Sequence, residues 1–251
     1  LELYEKAISC FDFSIAIKPD FSSAYFNKAH CLSNMEEYSK AIECFKETME
    51  YDAEDSYSYY CIGECYEKLE NYQKAISYYR KSIDIDDFNA DAWLGIGASY
   101  NELDQLHDAI SYVQKAIKLD SQNPEYWFVF GDIQSKLGFY EEAKMSFENV
   151  KKLDPENDEI YSDLGWINEQ LGNYGEALLH FTEGIVKFPR NAKLFYNFAA
   201  FLLKNGQLEE SLFNLDAALS LNYNEHDIFF EAYDEASAYP QVLELIEYHK
   251  K

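Results

Sequence analysis

Three cysteines are the side chains whose type and spacing come closest to a metal site. Cys61 and Cys65 lie four residues apart, so a helix would place both thiols on one face, and Cys31 lies upstream. Thiolates in such an arrangement can bind zinc. A free cysteine is also a small apolar side chain that is commonly buried in a core. We favour this second interpretation, which predicts no metal site.

Acidic side chains provide the other candidate chemistry. Glu64 and Glu67 could act as an acid and a base, but no enclosed pocket is expected around them. The segment Asp84 to Ala92, DIDDFNADA, is rich in the oxygen ligands that calcium prefers. It lacks the glycine and the final glutamate that a calcium loop requires. We interpret it as a turn whose Asp and Asn side chains cap the following helix.

Signatures of nucleophilic, phosphate-binding and metallohydrolase sites are missing from the sequence. The five histidines are scattered, and neither HExxH, GxSxG nor GxxxxGK occurs. We therefore predict a protein that is not an enzyme, with no catalytic residue, no cofactor and no metal ion.

Charge and hydropathy restrict the partners. With 21 basic against 46 acidic side chains the net charge is −25, which disfavours nucleic acid and anionic membrane surfaces, because their binders neutralise phosphate or lipid with Lys and Arg. No apolar run is long enough to span a bilayer. The five cysteines, an odd number, favour reduced thiols and hence a cytoplasmic location.

A period of 34 residues organises the chain. An aromatic residue recurs at this interval, and small residues follow it four and sixteen positions later. Small residues are needed where two helices cross closely. The aromatic positions are Tyr25, Tyr59, Trp93, Trp127, Tyr161, Phe195 and Phe229. The small positions are Ala29, Gly63, Gly97, Gly131, Gly165 and Ala199 in the first series and Ala41, Ala75, Ala109, Ala143, Ala177 and Ser211 in the second.

The unit from Trp127 to Asn157 resembles the tetratricopeptide repeat. Its residues at the family's spacing are Trp127, Gly131, Tyr140, Ala143, Phe147 and Pro155. The resemblance implies an all-α fold, a right-handed superhelical solenoid of antiparallel helix-turn-helix repeats, and a role in protein–protein interaction.

The repeat scheme predicts the organisation of the whole chain. We expect residues 1–21 to form the second helix of a truncated first repeat, in a natural protein that continues upstream. Residues 22–225 are expected to form six complete repeats that start at 22, 56, 90, 124, 158 and 192. Residues 226–251 are expected to form a degenerate seventh repeat or capping helices, because Tyr233 and Leu245 replace both small residues.

The resemblance places the first helix of each repeat along a concave groove. The groove residues then form a stripe roughly 130° from the core stripe, at about 100° per residue. This stripe combines aromatic rings with carboxylates. We predict that it binds a partner through Phe26, His30, Tyr57, Tyr60, Glu64, Glu67, Asp91, Glu125, Phe128, Asp132, Trp166, Glu169 and Tyr196.

The chemistry of the stripe indicates a partner protein or peptide that is basic and apolar. Tyr, Trp and Phe are typical interface anchors, and the carboxylates would attract Lys or Arg. The competing interpretation is that the rings pack against neighbouring repeats and that the charge serves solubility. Binding of an acidic tail, known for some tetratricopeptide domains, is not expected, since Phe26, His30 and Asp91 supply almost no positive charge.

Two other functions remain open. One is self-association into a homodimer through the aromatic carboxy-terminal cap, which contains Phe229, Phe230, Tyr233 and Tyr239. The other is a regulatory or substrate-recruiting region of a larger enzyme whose catalytic domain lies outside this sequence.

Overall fold

The computed structural model describes residues 2–52 and 55–250, so Leu1 and Lys251, the two ends of the expected repeat scheme, lie outside it. Every regular element within these ranges is helical, which confirms the all-α prediction. The α-helices are α1 (Glu2–Ile17), α2 (Ser22–Asn34), α3 (Tyr38–Tyr51), α4 (Ser56–Lys68), α5 (Tyr72–Ile85), α6 (Ala90–Glu102), α7 (Leu106–Leu119), α8 (Pro124–Lys136), α9 (Tyr140–Leu153), α10 (Glu159–Gln170), α11 (Tyr174–Lys187), α12 (Ala192–Lys204), α13 (Leu208–Leu221), α14 (Asp227–Ala232) and α15 (Pro240–His249). Two 3₁₀ segments, Tyr223–Glu225 and Asp234–Ala238, flank α14.

The helices form antiparallel hairpins in two compact units. The first unit, Leu1–Leu137, pairs α2 with α3, α4 with α5 and α6 with α7, and the second, Gly138–Lys251, pairs α10 with α11 and α12 with α13. We call α2, α4, α6, α8, α10 and α12 the first helices. We call α1, α3, α5, α7, α9, α11 and α13 the second helices.

Small residues allow the two helices of a hairpin to approach closely. A Cβ atom added to Gly63 of α4 would lie 2.6 Å from the ring of Tyr79 in α5, a distance that packed carbon atoms do not adopt. In the hairpin of α12 and α13 the small residues also form a hydrogen bond, from Ser211 Oγ to the carbonyl oxygen of Ala199 at 2.8 Å. The small residues that recur every 34 positions therefore lie where the two helices of a hairpin cross.

The turn inside each hairpin uses one residue with positive φ. This residue ends the first helix in the left-handed conformation that closes a Schellman-type turn. In the hairpin of α4 and α5, for example, the Asn71 nitrogen donates to the Tyr66 carbonyl oxygen at 2.8 Å. The positive-φ residues are Glu36, Glu70, Asp104, Gly138, Gly172 and Gly206, again 34 apart.

The segment from Asp84 to Ala92 is the turn between α5 and α6. Asp86 Oδ1 accepts a hydrogen bond from the Phe88 nitrogen at 3.0 Å, and Asn89 Oδ1 accepts one from the Ala92 nitrogen at 3.1 Å. Asn89 is thereby the N-cap of α6. The prediction of a turn with a capping Asn is therefore confirmed, whereas the bond of Asp86 lies within the turn and does not cap α6.

The carboxy-terminal residues do not form another regular hairpin. The short helix α14 and the 3₁₀ segment that follows it pack on α12, and α15 packs on α13. Their apolar residues, including Phe229, Ala236 and Val242, close one core with α12 and α13. This segment therefore covers part of α12 that would otherwise face solvent. None of the helices described is both long and apolar enough to traverse a lipid bilayer.

Candidate functional site

A connected group of rings lies on the first helices of the first unit. Tyr57 of α4 has its ring centroid 5.8 Å from that of Phe26 and 6.0 Å from that of His30, both in α2. It also stacks on Tyr60, at 5.9 Å and an interplanar angle of 21°. Half of Tyr57, 51%, is exposed to solvent. The rings therefore extend across two adjacent repeats, with one face open.

Carboxylates lie beside these rings and are held by tyrosine hydroxyls. Tyr60 Oη donates a hydrogen bond to Glu64 Oε1 at 2.9 Å, and Tyr79 Oη donates to Glu67 Oε2 at 2.8 Å. The hydroxyl of Tyr126 in α8 donates to Asp91 in α6. We call these rings and carboxylates together the ring–carboxylate surface.

The charge on this surface is concentrated. Desolvation raises the pKa of Glu64, and the nearby carboxylates of Glu67 and Asp91 raise it further, although the Tyr60 hydrogen bond opposes the shift. Desolvation likewise raises the pKa of Glu67, against the hydrogen bond from Tyr79. Burial is thus the main cause of both shifts, and it outweighs the tyrosine hydrogen bonds and the opposing charge of Lys68.

His30 does not supply that positive charge. Burial against the rings of Phe26 and Phe45, at centroid distances of 4.6 and 5.1 Å, lowers the pKa of its imidazole. The ring is therefore neutral at pH 7, because burial disfavours the charged form. His30 contributes to the surface as an aromatic side chain.

The remaining predicted residues of the first unit lie on α8. Glu125 is exposed and Phe128 is half-buried. Asp132 accepts a hydrogen bond from Asn101 Nδ2 at 2.8 Å and forms an ion pair with Lys136 at 2.8 Å. Its charge is thus compensated within the protein, unlike that of Glu64.

Trp166 marks a separate cavity in the second unit. Its indole is 43% exposed and meets the ring of Tyr140 edge-on at 5.8 Å. The cavity has a volume of about 200 Å³. Its lining is Ser162, Asp163, Trp166, Glu169, Phe181, Asn197, Ala200, Phe201, Lys204 and Ala232. Glu169 forms an ion pair with Lys204 at 3.3 Å.

The prediction that Tyr196 belongs to the partner-binding stripe is wrong. Tyr196 is 0% exposed, and its hydroxyl donates to the carbonyl oxygen of Asn222 at 2.8 Å. The reason is the carboxy-terminal segment, whose Phe229, Ala236 and Val242 share a core with this ring. A position that is open on α4 is closed on α12.

The aromatic residues of the carboxy-terminal cap are also less accessible than the self-association alternative requires. Phe229 is fully buried, and Phe230, Tyr233 and Tyr239 are partly buried against the same core. Their rings stabilise the cap itself.

The thiols of α4 are packed among neighbouring side chains. Cys61 Sγ lies 4.0 Å from His30 Nε2, and Cys65 Sγ lies 3.9 Å from Ser33 Oγ. Burial raises the pKa of Cys65 to about 11 and raises that of Cys61 further, so both thiols are protonated at pH 7. In residues 2–52 and 55–250, no three His, Cys, Asp or Glu side chains are placed to hold a metal ion.

Two residues of the surface were missed from the sequence. The spacing assigned Tyr79 to the core, and Tyr126 precedes the aromatic opener of its repeat, so neither belonged to the predicted stripe. Their rings are indeed buried, but their hydroxyls reach Glu67 and Asp91. The sequence does contain one indication of this role. Both positions carry tyrosine, although phenylalanine would be sufficient to fill the core.

The fold and the surface define a helical-hairpin repeat protein with an open face of rings and carboxylates. The tetratricopeptide repeat family matches residues 22–55, 56–89, 90–123, 128–192 and 180–213. The chain belongs to the tetratricopeptide repeat family, as the resemblance of Trp127 to Asn157 indicated.

Solved structures give the same architecture. The carboxy-terminal part of a tetratricopeptide repeat protein from Cytophaga hutchinsonii is 19% identical, with a TM-score of 0.72 over 96% of this chain and 94% of its own. MamA from Desulfovibrio magneticus RS-1 is 19% identical, with a TM-score of 0.61 over 65% and 93%. YrrB, described as having an unusual peptide-binding site, is 26% identical, with a TM-score of 0.59 over 71% and 92%. No curated protein matches the chain. Family membership and these neighbours support a protein-interaction scaffold.

Proposed function

We propose that this chain is a non-catalytic scaffold that binds a segment of a partner protein on its first helices. Its membership of the tetratricopeptide repeat family supports this, as does its similarity to YrrB and that protein's peptide-binding site. The segment is basic and apolar. The ring–carboxylate surface is its main contact.

One observation carries the proposal: the carboxylates beside the exposed Tyr57 ring are held by hydroxyls and not by cations. A tyrosine hydroxyl orients Glu64 and likewise Asp91, but it leaves their negative charge in place. A lysine in the same position would cancel that charge. An arginine or lysine of a partner can approach these carboxylates while its stem covers the Tyr57 ring, and cations also bind favourably over such rings.

The second unit offers a contact of its own, the cavity at Trp166, which differs in character. Its walls include the rings of Phe181 and Phe201, whose centroids are 5.1 Å apart, and the small side chain of Ala200. About 200 Å³ accommodates one medium-sized apolar side chain. Because Glu169 is already paired with Lys204, this site favours apolar over basic residues.

Selection of peptides from a random displayed library on the purified chain tests the proposal. Selected peptides are expected to be rich in Lys, Arg and apolar residues. The affinity of one selected peptide is then measured for wild type, Tyr57→Ala and Glu64→Gln. Tyr57→Ala is expected to weaken binding by about tenfold or more, as for an interface anchor. Glu64→Gln is expected to weaken Lys- and Arg-containing peptides only.

Phe88→Ala provides the matched control. Phe88 is an exposed ring in the turn between α5 and α6 and is not a member of the ring–carboxylate surface. Its removal is expected to leave the peptide affinity unchanged. Selection of acidic peptides, or equal affinity of wild type and Tyr57→Ala, would contradict the proposed site.

A further inference from the structure

The second helices of the second unit carry an exposed apolar row. Met145 of α9, Leu179 of α11 and Phe213 of α13 lie at equivalent positions, 34 residues apart, and are 66%, 54% and 76% exposed. Ion pairs from Lys144 to Glu176 and from Lys151 to Glu183 link α9 with α11 alongside the row. We call these three residues the second-helix row.

Packing of the repeats does not require this row to be apolar. The equivalent residues of the first unit are also exposed, and they are Ser9 of α1, Glu43 of α3, Ser77 of α5 and Ser111 of α7. The position is thus solvent-facing in seven second helices and polar in four of them. Apolar side chains exposed in series on one surface are typical of a contact with another molecule.

The row continues into further apolar surface at both α11 and α15. Val186 lies two turns after Leu179 and is exposed on the same side of α11. Beside Phe213, an open hollow of about 500 Å³ is lined by Leu212, Phe213, Gln241, Glu244, Leu245 and Tyr248. The surface therefore offers both projecting side chains and a recess, as an interface core does.

The charges that border the row identify its partner. Glu141 and Glu148 flank Met145 on α9, and Glu209 precedes Phe213 on α13; all three are exposed. The lysines beside the row on α9, Lys144 and Lys151, are engaged in the ion pairs above. Lys152, at the end of α9, is the exception. The border is thus predominantly anionic.

We propose that the second-helix row docks an amphipathic helix of another protein whose apolar face is bordered by lysine and arginine. This surface lies on the second helices and shares no residue with the ring–carboxylate surface or the Trp166 cavity. A second copy of this chain fits less well, because it would bring the same anionic borders together. The chain would then hold two partners, or two segments of one partner, at once.

A synthetic helical peptide of about 20 residues, with leucine along one face and lysine along its borders, is a direct probe. Its affinity is measured by fluorescence anisotropy for wild type and for the combined variant Met145→Ser, Leu179→Ser, Phe213→Ser. Serine is the residue that the first unit carries at three of its four equivalent positions. Because the replaced side chains are exposed, the variant is expected to keep the wild-type helicity and unfolding midpoint.

The row variant is expected to bind the peptide at least about tenfold more weakly. The variant Tyr57→Ala, Trp166→Ala, which alters the first-helix sites, is expected to keep the binding that the row variant loses. A peptide with glutamate borders is expected not to bind. Equal affinity of wild type and the row variant, or loss only in the first-helix variant, would overturn the proposal. So would concentration-dependent dimerisation, by sedimentation, that the serine substitutions abolish, because it would assign the row to a second copy.

Discussion

Tyr79 donates its hydroxyl hydrogen to Glu67 at 2.8 Å, so a ring from the core of a second helix reaches a carboxylate on a first helix. The hydrogen bond connects packing with surface charge, because the same side chain fills the space left by Gly63. Removal of the Tyr79 hydroxyl is expected to affect both the stability of the protein and the ionisation of Glu67.

Tyr79→Phe is expected to destabilise the protein by about 2 kcal/mol, because a half-buried carboxylate loses a donor that the ring packing cannot replace. The pKa of Glu67 is expected to rise further, since the hydrogen bond lowers it. Urea unfolding and a double-mutant cycle with Glu67→Gln measure the effect. In the Glu67→Gln background Tyr79→Phe should cost less; an equal cost in both backgrounds would show that the bond contributes nothing.

The raised pKa values of Glu64 and Glu67 predict a stability that increases as the solution is acidified from pH 7 toward the ordinary value of 4.5. In this window the folded protein binds more protons than the unfolded chain, so the free energy of unfolding falls as pH rises. The urea midpoint at pH 7 and pH 5 tests this.

The double variant Glu64→Gln, Glu67→Gln provides the control for that pH dependence. In this variant the midpoint should change less between pH 7 and pH 5, because the two titrating carboxyl groups are absent. The general charge repulsion of a chain at −25 would remain. An undiminished slope in the variant would assign the effect to other carboxylates.

Glycine at the positive-φ position of the first unit's turns should increase the stability of the protein. Glu70 has φ of 56°, a conformation that costs a residue with a Cβ roughly 1 kcal/mol more than glycine. Glu70→Gly is therefore expected to stabilise the protein by about 0.5–1 kcal/mol. Gly172→Ala, at the equivalent turn of the second unit with φ of 74°, is expected to destabilise by a similar amount. Thermal and urea midpoints that move in the opposite directions would refute this account.

Alanine substitution at two glycines distinguishes the cost of disturbing close packing from the gain in helix propensity. Gly63→Ala places a Cβ 2.6 Å from the Tyr79 ring and is expected to cost about 2 kcal/mol or more. Gly175 of α11 has no atom within 4 Å of such a Cβ, so Gly175→Ala should be neutral or stabilise by up to about 1 kcal/mol. If both variants unfolded at the same urea concentration, the crossing would not be the constraint that the 34-residue pattern implies.

The sequence was sufficient for the hairpins because their requirements are local and repeated. Gly63 and Tyr79 are sixteen residues apart, and every repeat must satisfy the same crossing. The accessible surface was harder to predict. Tyr60 and Tyr196 hold the same place after their aromatic openers, yet only Tyr196 is covered, because the segment around α14 does not follow the repeat. The 34-residue repeat predicts nothing about a segment that does not follow it.

The length of the side chains also made the surface residues hard to predict from the sequence. Angles around a helix assign a Cα to one face, but a tyrosine hydroxyl lies several ångströms beyond its ring. Tyr126 was therefore outside the predicted stripe although its hydroxyl contacts Asp91 on a neighbouring first helix. Lys136 likewise lies outside the predicted stripe, although its ammonium group neutralises Asp132.

The use of hydroxyls to hold Glu64, Glu67 and Asp91 has a kinetic consequence. Because these hydrogen bonds orient the carboxylates without neutralising them, their field extends into solvent for about 8–10 Å at ordinary ionic strength. A cationic segment is attracted before it makes contact, so its rate of association should fall as salt is added. Its rate of dissociation, set by the rings, should change little.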